Sequence, residues 1–320
     1  MLTFVKGYIS LAFFLKWRQS YKVFPKNWLH LSADAYLHHI MIIFKTSANL
    51  KKYLRKLRIT NNSTGFVPTM GALHGGHLAL LKKSRQYAET TICSIFVNPA
   101  QFNNPQDFQN YPVTIEEDVY MLEKNGCDIL FLPDVNEIYP DGNFINNRFE
   151  LGYLETVLEG KYRPGHFQGV CQVVKRLLQI VDPTYLLVGQ KDYQQCMVLK
   201  KLLSMMESQA ELVICPTLRE EDGLAKSSRN LRLNKNERRQ APAIYQSLLS
   251  LKQQIKPGNL VQLKKSAEEF LVKKDFKVDY IEIANADDLT LINNWNGKDP
   301  IIILVAVYLN DIRLIDNLKL

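Results

Sequence analysis

From Met41 to about residue 217 the chain alternates short apolar runs with stretches of helical periodicity, and this alternation restricts the possible folds more than any other feature. Five runs have the length and composition of buried strands: TGFVPT (64–69), TTICSIFV (90–97), CDILFLP (127–133), TYLLVG (184–189) and ELVICPT (211–217). A short apolar run also begins at Met41 and leads into the helix-like stripe Leu50, Tyr53, Leu54, Leu57. Further on, Val170, Val173, Val174, Leu177, Leu178 and Val181 repeat at a spacing that puts them on one helical face. Apolar strands separated by amphipathic helices are βαβ units, so the expected class is α/β, a doubly wound parallel sheet covered on both faces. After residue 217 the order changes to two helices (237–256 and 260–274) followed by strands at 278–283, 301–309 and 312–316. Helices followed by strands imply a separate, smaller α+β domain.

The 320 residues carry 40 Lys and Arg against 32 Asp and Glu, a net charge of +8. The first forty residues hold five of those bases (Lys6, Lys16, Arg18, Lys22, Lys26) and a single acid, Asp34, so much of the basic balance is terminal. What remains is too little to argue nucleic-acid binding. The apolar stretch Gly7–Leu15 is nine residues long, against roughly 20 for a membrane span, and it lacks a small-residue cleavage site. Residues 1–40 therefore read as an extension, either ahead of a natural start at Met41 or disordered, with no membrane segment. The five cysteines (Cys93, Cys127, Cys171, Cys196, Cys215) are odd in number, with no close pair, and lie in apolar stretches. They read as reduced, packed thiols of a cytoplasmic protein.

The segment TGFVPTMGALHGGHLALLKK has a strand-like start, glycines at 71, 75 and 76, and a helix opening near His77. A helix N-terminus presents unpaired N–H groups and the positive end of the helix dipole, so such a turn suits phosphates. His74 and His77 are three apart and can face one phosphate if the turn is helical. Structural hydrogen bonding is the alternative; metal binding is a third, but no third ligand is nearby.

His74-Gly75-Gly76-His77 resembles the His-x-Gly-His signature of nucleotidyltransferases related to class I aminoacyl-tRNA synthetases, and PTMGALHGGH resembles the pantothenate synthetase family among them. SIFVNPAQF (94–102), YRPGHFQGVCQVVKRLLQIVDPTYLLVGQKDYQQ (162–195) and LREEDGLAKSSRN (218–230) resemble that family in the same order, so the likeness runs from about 41 to 320. It implies a Rossmann-like nucleotide- and pantoate-binding domain at 41–217 and a C-terminal lid domain at 218–320. The implied activity is a ligase: ATP and pantoate give a pantoyl-adenylate, which β-alanine converts to pantothenate and AMP.

The resemblance also implies roles for particular residues. His74, His77, Lys191 and Arg229 are the expected catalytic set. Met70, Gly71, Ala72, Leu73, Gly75 and Gly76 complete the nucleotide loop, joined by Gly189, Gln190, Lys191 and Asp192 at the end of a strand and by Leu218, Lys226, Ser227, Ser228 and Arg229 in a mobile phosphate loop. Lys191 taken alone also fits a solvated surface lysine. Lys226 stands where the family has Met or Leu, and either adds charge near the triphosphate or points to solvent. Gln101 and Gln195 are expected to hold pantoate, whose carboxylate and hydroxyls neutral amides can bind, with Pro68, Met70 and His166 in the pocket wall. His166 fits helix capping nearly as well. Mg²⁺ is expected with the triphosphate; Glu117 and Asp118 match the family's acidic pair, although Glu117 replaces an Asp and both also fit the acidic first turn of a helix. A homodimer through the N-terminal domain is implied as well. Two competing readings are a related transferase acting on a phosphorylated acceptor, and a regulatory nucleotide-binding module without catalysis.

Overall fold

The computed structural model describes residues 8–9, 40–102, 108–140, 142 and 148–320. Apart from Tyr8 and Ile9, the N-terminal extension lies outside the described residues. The large sheet contains β1 (Tyr8–Ile9), β2 (Ile42–Phe44), β3 (Thr64–Thr69), β4 (Thr90–Ile95), β5 (Ile129–Phe131), β6 (Tyr185–Gly189) and β7 (Glu211–Cys215). Its order is β1-β2-β5-β4-β3-β6-β7, with β2 to β7 all parallel and β1 antiparallel on the edge.

Alternate residues of these strands feed two different cores, which is why the runs read as apolar throughout. Phe66, Ile92, Ile129, Phe131, Leu186 and Val188 pack on one face, with α1 (Ser47–Ile59), α4 (His166–Val181) and α5 (Tyr193–Met205). Val67, Cys93, Leu130 and Leu187 face the other way, toward α2 (Gly75–Tyr87) and α3 (Ile115–Lys124). The doubly wound α/β class is thus present, and all five cysteines are buried.

The C-terminal part is α6 (Ala243–Gln254), α7 (Val261–Val272) and a three-stranded antiparallel sheet of β8 (Lys277–Asn285), β9 (Ile301–Leu309) and β10 (Ile312–Lys319), with β9 in the middle. The single helix expected over 237–256 is two: Lys235–Gln240 and Ala243–Gln254. Pro242 separates them, because its ring leaves no N–H to continue the hydrogen-bond ladder of the first helix. Ile301, Ile303, Val305 and Val307 pack toward α6 and α7, whereas Ile302, Leu304 and Ala306 pack into the core of the large domain. The small sheet is therefore docked on the large α/β part through its second face.

That docking carries buried charge. Arg313 on β10 grips Glu159 with both terminal nitrogens, at 2.7 and 2.8 Å, and its Nε donates to Asp279 at 2.8 Å. The Tyr280 hydroxyl donates to the same Glu159 carboxylate. Burial works to raise the pKa of Glu159, but Arg313 outweighs it and brings the group down to about 2.

Candidate active site

The chain runs outward from β3 to β4 and β5, then crosses back to β6 on the other side of β3. Open α/β sheets bind ligands at such a reversal, beyond the carboxyl ends of the strands. A cleft lies there, lined by Pro68, Met70, His74, Gly76 and His77 after β3 and by Gly189, Lys191 and Asp192 after β6. Gln195 and Gln101 lie in it too, with Leu218, Lys226, Ser227, Ser228 and Arg229 from the segment after β7. His74, His77, Lys191 and Arg229 are thus brought together from three stretches of chain.

The two histidines close the end of α2. His74 is the N-cap, and its Nδ1 accepts from the Gly76 N–H at 3.1 Å, while His77 Nδ1 accepts from the His74 N–H at 3.2 Å. The imidazoles take the reciprocal part that a hydroxyl and a carboxylate play in a capping box. A Cβ on Gly76 would come within 2.8 Å of the His74 ring, so only glycine lets the ring lie across the helix end. Burial, then Lys191, pushes the His74 pKa down to about 4; burial, then His74 and Lys191, pushes His77 to about 3. Both rings are neutral at pH 7, and with Nδ1 accepting, each carries its proton on Nε2 as a donor.

Gly71, Ala72, Leu73 and Gly75 are not part of the cleft wall; they shape the turn behind it. Gly71 and Ala72 have φ of +80° and +49°. What holds this left-handed pair is Asp118: Oδ2 accepts from the Ala72 N–H at 2.9 Å and Oδ1 from the Leu73 N–H at 2.8 Å. The Thr114 hydroxyl also donates to it, and the residue is 0 % exposed. Both oxygens of Asp118, one of the two expected metal ligands, are thus engaged by the loop and by Thr114. Burial leads in raising its pKa, against the pull of those N–H bonds. Glu117 is exposed on the same helix, and among the described residues no cluster of three or more His, Cys, Asp or Glu could hold a metal.

Gln101 is oriented by residues that sequence reasoning missed. Its Oε1 accepts from Asn98 Nδ2 at 3.3 Å, and Asn98, 0 % exposed, accepts in turn from the Tyr139 hydroxyl at 2.9 Å. With Oε1 engaged, the Gln101 amide nitrogen donates to Met70 Sδ at 2.6 Å. His166 acts on the same residue: its Nδ1 meets the Gln101 carbonyl oxygen at 2.8 Å, and the cap position of α4 falls to Gly165. The His166 side chain faces a small neighbouring cavity with Glu159 and Arg163, not the main cleft. Burial and then Arg163 push its pKa down to about 3.

Lys191 and Asp192 form an ion pair at 3.2 Å in the turn Gln190–Asp192 directly after β6. Gln190 does not line the cleft; its amide donates to Asn317 on β10 at 3.2 Å. In the segment after β7, Ser227 Oγ accepts from the Arg229 N–H, and Lys226 pairs with Glu220 at 2.7 Å. The Lys226 stem lies 3.2 Å from where a Cβ on Gly75 would sit, so this lysine faces the cleft instead of pointing to solvent.

The model of the pantoate–β-alanine ligase family matches residues 42–319. A pantothenate synthetase of Cytophaga hutchinsonii is 43 % identical over 283 residues, which cover 87 % of this chain and 99 % of the relative. That of Caldicellulosiruptor bescii is 40 % identical over 281 residues, 87 % and 98 % of the two chains. The crystal structure of pantothenate synthetase from Thermus thermophilus superposes with a TM-score of 0.78 at 39 % identity, covering 87 % of this chain and 98 % of that one. The Francisella tularensis pantoate–β-alanine ligase, crystallised with β,γ-ATP and β-alanine, gives 0.72 at 38 % identity over 87 % and 97 %.

Proposed function

The chain belongs to the pantoate–β-alanine ligase family, and from that premise we propose that it condenses pantoate with β-alanine at the expense of ATP, through a pantoyl-adenylate. The observation that carries this reading is the convergence of His74, His77, Lys191 and Arg229 on one cleft whose remaining polar side chains include two neutral amides, Gln101 and Gln195. The cations and the helix end suit a triphosphate, and the amides suit a small hydroxy acid.

In the first step a carboxylate oxygen of pantoate attacks the α-phosphorus of ATP, and the bond to the β,γ-pyrophosphate breaks. Negative charge then spreads over the α-phosphate and the leaving group, and fixed donors lower that barrier more than any covalent participation. His74 and His77 offer Nε2–H groups to the phosphates, as neutral donors preset by their Nδ1 bonds. Lys191 supplies a charge beside them, and Ser227, Ser228 and Arg229 follow the departing pyrophosphate. Gln101 and Gln195 hold pantoate in line for attack. In the second step the free amine of β-alanine attacks the acyl carbon, AMP leaves and the amine loses its proton.

Mg²⁺ would enter with the nucleotide and would neutralise part of the triphosphate charge beside Lys191 and Arg229. Residues 41–217 act as the catalytic domain and 218–320 as a lid that keeps water from the acyl-adenylate. The enzyme works as a homodimer through its larger domain, in the cytoplasm; sedimentation at micromolar concentration checks the first point. Among the described residues no helix is long and apolar enough to cross a membrane. The direct test of function is AMP release from Mg-ATP. It should require pantoate and β-alanine together, and AMP release indifferent to pantoate would overturn the reading.

A further inference from the structure

The turn that carries Lys191 is not held by its own domain alone. Asn317, near the end of β10 and 2 % exposed, donates from Nδ2 to the carbonyl oxygens of Gln190 at 2.9 Å and Lys191 at 2.8 Å. Its Oδ1 accepts from the Gln190 amide at 3.2 Å, so every polar atom of the side chain is engaged by two consecutive residues of that turn. The neighbouring residue faces the other cationic segment. Asp316 takes both terminal nitrogens of Arg219, at 2.6 and 3.0 Å, and Arg219 also donates to the Asn317 carbonyl at 3.2 Å. Arg219 lies 3.7 Å from the ring of Tyr245 and opens the segment that leads to Lys226–Arg229.

We propose that Asn317 is a positioning residue for the adenylation step: it fixes the backbone of Gln190 and Lys191 so that the lysine ammonium meets the nucleotide phosphates. The chemistry is specific to an amide. Two carbonyl oxygens need two N–H donors at one point, and the Gln190 amide needs an acceptor beside them; asparagine supplies all three. Aspartate at 317 would turn an acceptor on both carbonyls. The turn would then back away from β10 and take Lys191 with it, and a displacement of about 1 Å can cost roughly 10²-fold in rate. Asp316 and Arg219 make the mount stiff, because the strand end that holds one segment also holds the root of the other.

This inference rests on the proposal that Lys191 binds the nucleotide, and the experiment separates the two. Pantoate-dependent exchange of pyrophosphate into ATP is measured on the full chain for wild type, Lys191→Met and Asn317→Asp, with KM for ATP and for pantoate and the melting temperature of each. The expected result is that both variants lose exchange, Asn317→Asp by about 10²-fold, with KM for ATP raised and KM for pantoate within about twofold of wild type. Should Asn317→Asp fail to fold, Asn317→Ser, too short to reach both carbonyls, carries the same expectation. An impaired Lys191→Met beside a kinetically normal Asn317→Asp overturns the positioning role alone. A normal Lys191→Met overturns the assignment on which it rests. A fall in melting temperature with no selective change in KM for ATP assigns Asn317 to stability only and also overturns the proposal.

Discussion

The turn after β3 and the turn after β6 face one another across the same cleft, yet they are braced from opposite directions. The first is closed within its own domain: Asp118 on α3 takes the Ala72 and Leu73 N–H groups, and the histidines cap α2 with each other's help. The second is braced by β10, from the other end of the chain, through Asn317. One wall of the site is therefore braced chiefly from within the large domain, whereas the other is braced by the C-terminal strand. A small domain wired to the catalytic turn is part of the site's frame as well as a cover over it.

The join between the domains offers the largest expected effect. Arg313→Ala removes the main partner of the buried Glu159 carboxylate, leaving it Tyr280 and a longer contact to Arg163 at 3.7 Å, and should lower stability by about 3 kcal/mol, read from denaturant unfolding. A loss below about 1 kcal/mol would mean that the small sheet is only loosely attached. His77→Ala comes next: it removes one preset donor from the first turn and should lower turnover by roughly 10²–10³-fold. A rate unchanged within a factor of two would exclude the ring from the mechanism.

Asp118→Asn probes the brace of the first turn. Replacing an acceptor oxygen by an amide leaves a buried N–H unsatisfied, for about 1–3 kcal/mol of stability, with a raised KM for ATP and an unaltered dependence on Mg²⁺. A shifted Mg²⁺ dependence would instead assign this carboxylate a metal role.

Acid should act on the same region. His74, His77 and His166 have folded pKa values lowered to about 4, 3 and 3, below the ordinary 6.5. The unfolded chain then binds more protons below pH 6.5, so stability is fully present above that pH and is lost as pH falls toward 4. Glu159, lowered to about 2, adds its own loss only below its ordinary value of 4.5. Urea midpoints that stay constant from pH 6.5 to 5 would contradict this. The smallest effect is expected from Lys226→Met, since Glu220 already half-neutralises that charge: a few-fold change in KM for ATP. A loss near 10²-fold would make Lys226 part of the catalytic set.

How much of this could be read from the sequence follows the same division. The first turn was legible because its parts are contiguous: glycines and histidines within seven residues, directly after an apolar strand. The parallel strands were legible because apolar runs buried on both faces leave a plain signal. The bracing role of Asp118 was not legible because an acidic first turn, a metal ligand and a loop brace look alike until the partners, 45 and 46 residues away, are seen. Asn98 is one polar residue between an apolar strand and a proline, and only its burial reveals its hold on Gln101. Asn317 had no local signal, because both carbonyls it holds lie more than 120 residues upstream.

The central claim is that pantoate is activated on the nucleotide before the amine takes part. Labelled pyrophosphate supplied with Mg-ATP and pantoate, in the absence of β-alanine, tests this most directly. The account predicts that label enters ATP only when pantoate is present; exchange without pantoate, or none until β-alanine is added, would contradict it.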